Sequence, residues 1–64
     1  MEMKEIGAKI RKQRKSAGLK QTDLAMVTGV GIRFLSELEN GKESCHIGKV
    51  IQVLEALGLT MSID

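Results

Sequence analysis

The 64-residue chain has no proline, tryptophan or tyrosine, and only one phenylalanine, one cysteine and one histidine. Each shortage excludes something. A single cysteine, Cys45, cannot close a disulfide within the chain, and Cys45 with His46 falls short of a zinc ligand set, so both read as structural. No nucleophile with its base and orienting group, no metal set and no phosphate loop can be assembled, so neither enzymatic chemistry nor a cofactor is expected. No apolar run approaches the roughly 20 residues that span a bilayer, and no signal-peptide core is present. The expected setting is therefore soluble and cytoplasmic, with no membrane partner. A core this small supplies little net stability, and without disulfides or metal, oligomerisation is the expected extra support.

What is present is unevenly distributed. The net charge is only +2, but residues 1–20 carry seven basic side chains against Glu2 and Glu5, a balance of +5, while residues 21–64 balance to −3. Such polarity suits a polyanion at one end, although a solvated helix face gives the same pattern.

Glycines punctuate the chain. Gly18, Gly29, Gly41 and Gly58 each follow an apolar-periodic segment, where a left-handed residue closes a helix. The spacing predicts a first helix over about Met3–Ala17, with Ile6, Ile10 and Ala17 on one stripe, Met3 and Arg14 beside it, and Lys9, Lys12 and Lys15 solvated. After Gly18, Leu19 turns inward. A second helix covers about Gln21–Thr28, with Leu24 and Ala25 inward, Ala25 being small enough to let another helix cross closely. A third runs over about Ile32–Glu39 with Gly31 as a tolerable N-cap. Leu35 and Leu38 point to the core and Phe34 flanks them as filler or subunit contact. Arg33, Ser36, Glu37 and Asn40 face outward with Ile32 at their edge.

A fourth helix covers about Ile47–Leu57, preceded by His46 or Ser44. Its apolar residues Ile47, Val50, Ile51, Val53, Leu54 and Leu57 span an arc of about 160°, too wide for a helix covered on one side. The surplus predicts a second contact surface. The tail, Leu59 to Asp64, alternates apolar and polar at the period of a strand, and a lone strand either frays or pairs with the tail of a second molecule. Val53 and Leu57 from the helix, with Leu59, Met61 and Ile63 from the tail, are the expected dimer interface.

Leu24, Ala25, Gly29, Val30, Leu35 and Leu38 form the seam and sharp turn of a helix-turn-helix over residues 21–40, in which the second helix of the pair enters the major groove. The residues that carry this pattern, Leu19-Lys20-Gln21, Leu24-Ala25, Gly29-Val30 and Leu38-Glu39-Asn40-Gly41-Lys42, resemble the Cro/C1-type (XRE) regulators of phages and bacteria. More narrowly, the stretch from Gly29 to Lys42 with Val50 to Leu59 is similar to HipB-like antitoxins.

The resemblance implies one all-α domain over residues 1–64, four to five helices in a lambda-repressor-like arrangement, with the short C-terminal strand pairing across a homodimer. It implies a sequence-specific repressor on a palindromic double-stranded operator, nucleoid-associated, and, through HipB, an antitoxin that represses its own operon and holds a HipA-like kinase toxin. Gly31, Ile32, Arg33, Ser36 and Glu37 would meet base edges. Arg33 is suited to guanine, Glu37 to cytosine N4 and Ile32 to a thymine methyl. Lys20, Gln21, Thr22, Asn40 and Lys42 would meet phosphates, those at the start of the second helix using its free N–H groups. Arg14 and Glu39 would form an ion pair joining the first and third helices.

Two positions depart from the family. Thr28 stands where a larger apolar residue is usual, so looser packing is expected there, and Gly31 replaces the usual serine or threonine and removes a base-contacting side chain. A free-standing repressor without a toxin, or an interaction adaptor that does not bind DNA, remain the alternatives.

Overall fold

The computed structural model of the chain describes residues 2–43 and 46–59, and among these residues the regular structure is four helices: α1 (Met3–Ser16), α2 (Gln21–Thr28), α3 (Ile32–Glu39) and α4 (Ile47–Ala56). α3 packs against both α1 and α2, and α4 packs on α2. Between them lies one core built from Ile6 and Ile10, Leu24, Val30, Leu35 and Leu38, and Val50, Val53, Leu54 and Leu57. Met3, Leu19, Ala25, Phe34 and Leu59 close its edges. None of the helices is long and apolar enough to cross a membrane.

α1, α3 and α4 end in the same way. The amide after the left-handed glycine reaches back to the carbonyl five residues earlier (Leu19 N to Arg14 O, 3.1 Å; Lys42 N to Glu37 O, 3.0 Å; Leu59 N to Leu54 O, 2.8 Å), and the glycine amide makes the shorter inner bond. This Schellman closure satisfies carbonyls that a helix end otherwise leaves open. At α1 the closure begins one residue earlier than the periodicity predicts. Ala17 becomes the cap, exposed, and drops out of the inward stripe, while Leu19 takes its place against the core.

The same closure corrects the expected dimer surface. Leu59 does not begin a strand: its amide is committed to Leu54, and its side chain packs on the chain's own core. Val53 and Leu57 are likewise internal, with 0% and 8% of their surface exposed. Neither has area left for a second molecule. The apolar arc of α4 is wide as expected, but its uncovered edge is Ile47 and Ile51, 53% and 40% exposed. Met61 and Ile63, the remainder of the expected strand, lie outside the described residues, as do Ser44 and Cys45.

α1 lies unusually close to α3. Gly7 is buried at the crossing, and a Cβ there would run into the carbonyl oxygen of Leu38 and lie 3.0 Å from that of Glu39. Only a residue without a side chain lets the two backbones meet at this point. Thr28, expected to pack loosely, has a defined role: its hydroxyl donates to Leu24 O at 2.8 Å, one turn back, at the end of α2 just before the turn.

Candidate nucleic-acid interface

The pair α2 and α3, joined through Gly29 and Val30, places one face of α3 outward. Gly29 is left-handed (φ +75°), and Val30 is buried beneath the turn. Gly31 caps α3 with extended backbone and no side-chain bond. Leu35 and Leu38, 0% and 1% exposed, hold the helix from behind. On the other side Gly31, Ile32 and Arg33 are exposed, and Ser36 and Glu37 are half-buried.

Three of the expected contact residues are linked. The Arg33 Nε lies 3.4 Å from Glu37 Oε1, and the Lys42 Nζ lies 3.2 Å from Glu37 Oε2. Lys42 is placed by the α3 closure, since its own amide also bonds the Glu37 carbonyl. Asn40, the α3 C-cap, is exposed beside it.

Behind this face sits a buried ion pair. Arg14 donates from Nε to Glu39 Oε2 at 2.7 Å and from Nη2 to Glu39 Oε1 at 3.0 Å, and its Nη1 donates to Leu19 O at 2.8 Å. Their side chains are 10% and 2% exposed. Burial alone would push the Glu39 carboxyl up. The hydrogen bonds from Arg14 and Gln21 and the charges of Arg14 and Arg11 outweigh it, and the group is held below the ordinary carboxylate value. Arg14 moves the other way, raised chiefly by its hydrogen bond to Glu39.

The start of α2 differs from expectation in two respects. The Gln21 side chain, expected at a phosphate, instead turns back to Glu39, donating from Nε2 to Oε1 at 3.2 Å. It braces α2 against α3, and Lys20 and Thr22 remain as the exposed polar side chains at this helix start. Asp23 also occupies this end, its Oδ2 accepting from the Lys20 amide at 2.8 Å. The capping is one-sided, since a lysine ammonium has no acceptor to return. An acidic residue at the third helical position was the available signal for Asp23. For Gly7 the signal was a glycine that falls within the inward spacing of Met3, Ile6 and Ile10. Nothing local signals the Gln21–Glu39 contact. On α1, Lys9, Arg11, Lys12 and Lys15 are all exposed. Among the described residues no cluster of histidine, cysteine or carboxylate side chains could hold a metal ion.

This geometry is that of a helix-turn-helix reading head, and comparison with known proteins agrees. A family model described as helix-turn-helix (HTH_3) matches residues 10–63. The uncharacterized HTH-type transcriptional regulator y4mF of Sinorhizobium fredii is 51% identical over 59 residues, 92% of this chain and 78% of that protein. The ImmF control region 10 kDa protein of Bacillus phage phi105 is 44% identical over 39 residues, 61% of this chain and 43% of that protein. With the match covering most of its length and the two-helix unit in place, the chain belongs to the HTH_3 helix-turn-helix family.

Proposed function

We propose that the protein is a sequence-specific DNA-binding regulator of transcription, a repressor that acts as a homodimer on a palindromic operator. The observation that carries this reading is the division of α3 into a buried face and an outward one, on which the Arg33 side chain is 93% exposed. An arginine so presented is suited to fork onto guanine O6 and N7. Lys20 and Thr22 at one end, Asn40 and Lys42 at the other, and the basic face of α1 would supply phosphate contacts, which set affinity and register. The two relatives, a transcriptional regulator and a phage control-region protein, support a regulatory role. On this reading the protein is a binding protein rather than an enzyme, and it works in the cytoplasm at the nucleoid. A two-fold dimer would spread two α3 helices over half-sites about 34 Å apart, joined through the exposed Ile47 and Ile51 rather than through Val53 and Leu57.

The test is selection from randomised duplexes followed by footprinting. A two-fold symmetric consensus whose affinity falls steeply with salt is expected, and recovery of no enriched sequence refutes the reading. The narrower role of antitoxin rests on the resemblance to HipB-like proteins, and a HipA-like kinase encoded beside this gene should then co-purify with it. The likeness to a phage control-region protein favours the second reading, a free-standing repressor. Purification of both neighbouring products without association decides for it.

A further inference from the structure

We infer that Glu37 does not read a base pair of its own but is the positioning residue for Arg33, holding the guanidinium that reads. The inference rests on the DNA-reading proposal and deepens it. Glu37 is the least exposed of the three linked side chains, 37% against 93% for Arg33 and 64% for Lys42. Each of its carboxylate oxygens faces a cation, Oε1 the Arg33 Nε and Oε2 the Lys42 Nζ. The Lys42 amide bonds the Glu37 carbonyl, so the helix closure places the base of the Lys42 side chain beside Glu37, within reach of its second oxygen. The approach to Arg33 runs through Nε, at the back of the guanidinium. With the side chain otherwise open to solvent, the terminal nitrogens are left as the fork that guanine accepts.

The cluster has little to do with folding, since solvent-exposed pairs of this kind contribute little stability. Its effect belongs to the docked state. There water is excluded and the attraction strengthens. An arginine already held by its neighbour also loses less side-chain freedom on binding, worth about 2- to 10-fold in affinity for the correct base. Lys42 complements it by offsetting the carboxylate, so that the cluster keeps a net positive charge towards phosphates.

Site selection and competition binding on wild type, Arg33→Ala, Glu37→Ala, Glu37→Gln and the double alanine variant decide the matter. Both Glu37 variants should relax the same base pair that Arg33→Ala relaxes, by about 2- to 10-fold. Adding Glu37→Ala to Arg33→Ala should change the base profile no further. Relaxation at a different base pair, additive effects in the double variant, or an unchanged profile would each overturn the assignment. A wild-type protein without sequence preference would overturn the DNA-reading proposal along with it. Thermal melting keeps the test clean, because no fully buried side chain is altered.

Discussion

Replacing Arg14 by alanine should take away much of the stability of this domain. The pair it forms with Glu39 is nearly dry, two hydrogen bonds of 2.7 and 3.0 Å between side chains 10% and 2% exposed. Without Arg14 the carboxylate keeps one neutral donor, Gln21 at 3.2 Å, and the Leu19 carbonyl loses its partner. Breaking one side of a buried pair costs about 3–5 kcal/mol, because the other charge is stranded. Domains carry about 0.05–0.15 kcal/mol per residue, so a chain of this length holds roughly 3–10 kcal/mol in all. The variant should therefore melt at least 12 °C lower, taking ~4 °C per kcal/mol as the lower bound for a small domain. The control is Arg14→Met with Glu39→Leu, which removes both charges and keeps the volume. It should cost less than Arg14→Ala alone, since no charge is left stranded, with a residual cost from the Leu19 carbonyl and the Gln21 amide, which both lose their partners. Urea and thermal denaturation followed by circular dichroism measure both. An Arg14→Ala cost below ~1 kcal/mol, or a double variant as unstable as the sum of the singles, would refute the reasoning.

The same carboxylate gives stability a pH dependence. The Glu39 pKa is lower folded than unfolded, so its contribution is present above the ordinary carboxylate range and is lost as pH falls through the lower folded value; melting curves from pH 7 downward should show this acid loss, and the Arg14→Met, Glu39→Leu variant should show less of it. Gly7→Ala should destabilise by about 1–3 kcal/mol through overpacking against the α3 backbone, measured by denaturant titration. Lys42→Ala should weaken DNA binding across sequences and reduce the slope of log affinity against log salt by about 1. Asp23→Asn removes a negative charge from the start of α2, proposed to meet phosphates, while keeping a capping acceptor, so operator affinity at low salt should rise.

The spans of α2 and α3 were legible because local signals agree there: helical spacing, a glycine that must be left-handed, and a short turn. Failures came where tertiary placement decides. Ala17 has the right spacing for the inward stripe, but the α1 closure consumes it; the expected inward turn of Leu19 is what fills the edge of the core. The wide arc on α4 was visible, yet which edge lies under α2 and which is left open depends on how two helices cross. Val53 and Leu57 thus lie in the chain's own core, and Ile47 and Ile51 are the exposed edge. At the reading face the residue types and their outward placement could be read from helical spacing. The turning of Gln21 onto Glu39 could not, because its partner lies on another helix.

Glu39 ties three helices at a single carboxylate: it sits in the last turn of α3, accepts from Arg14 of α1 and is bonded by Gln21 at the first turn of α2. With Gly7 pressed onto the same turn, α1, α3 and the start of α2 are tied together at one place. On the proposed DNA-reading function, a reader braced in this way would leave more of the adjustment to the duplex. The energy of bending and twisting each candidate site would then enter recognition directly. Base steps that the protein never touches, and above all their stiffness, would become part of what it selects.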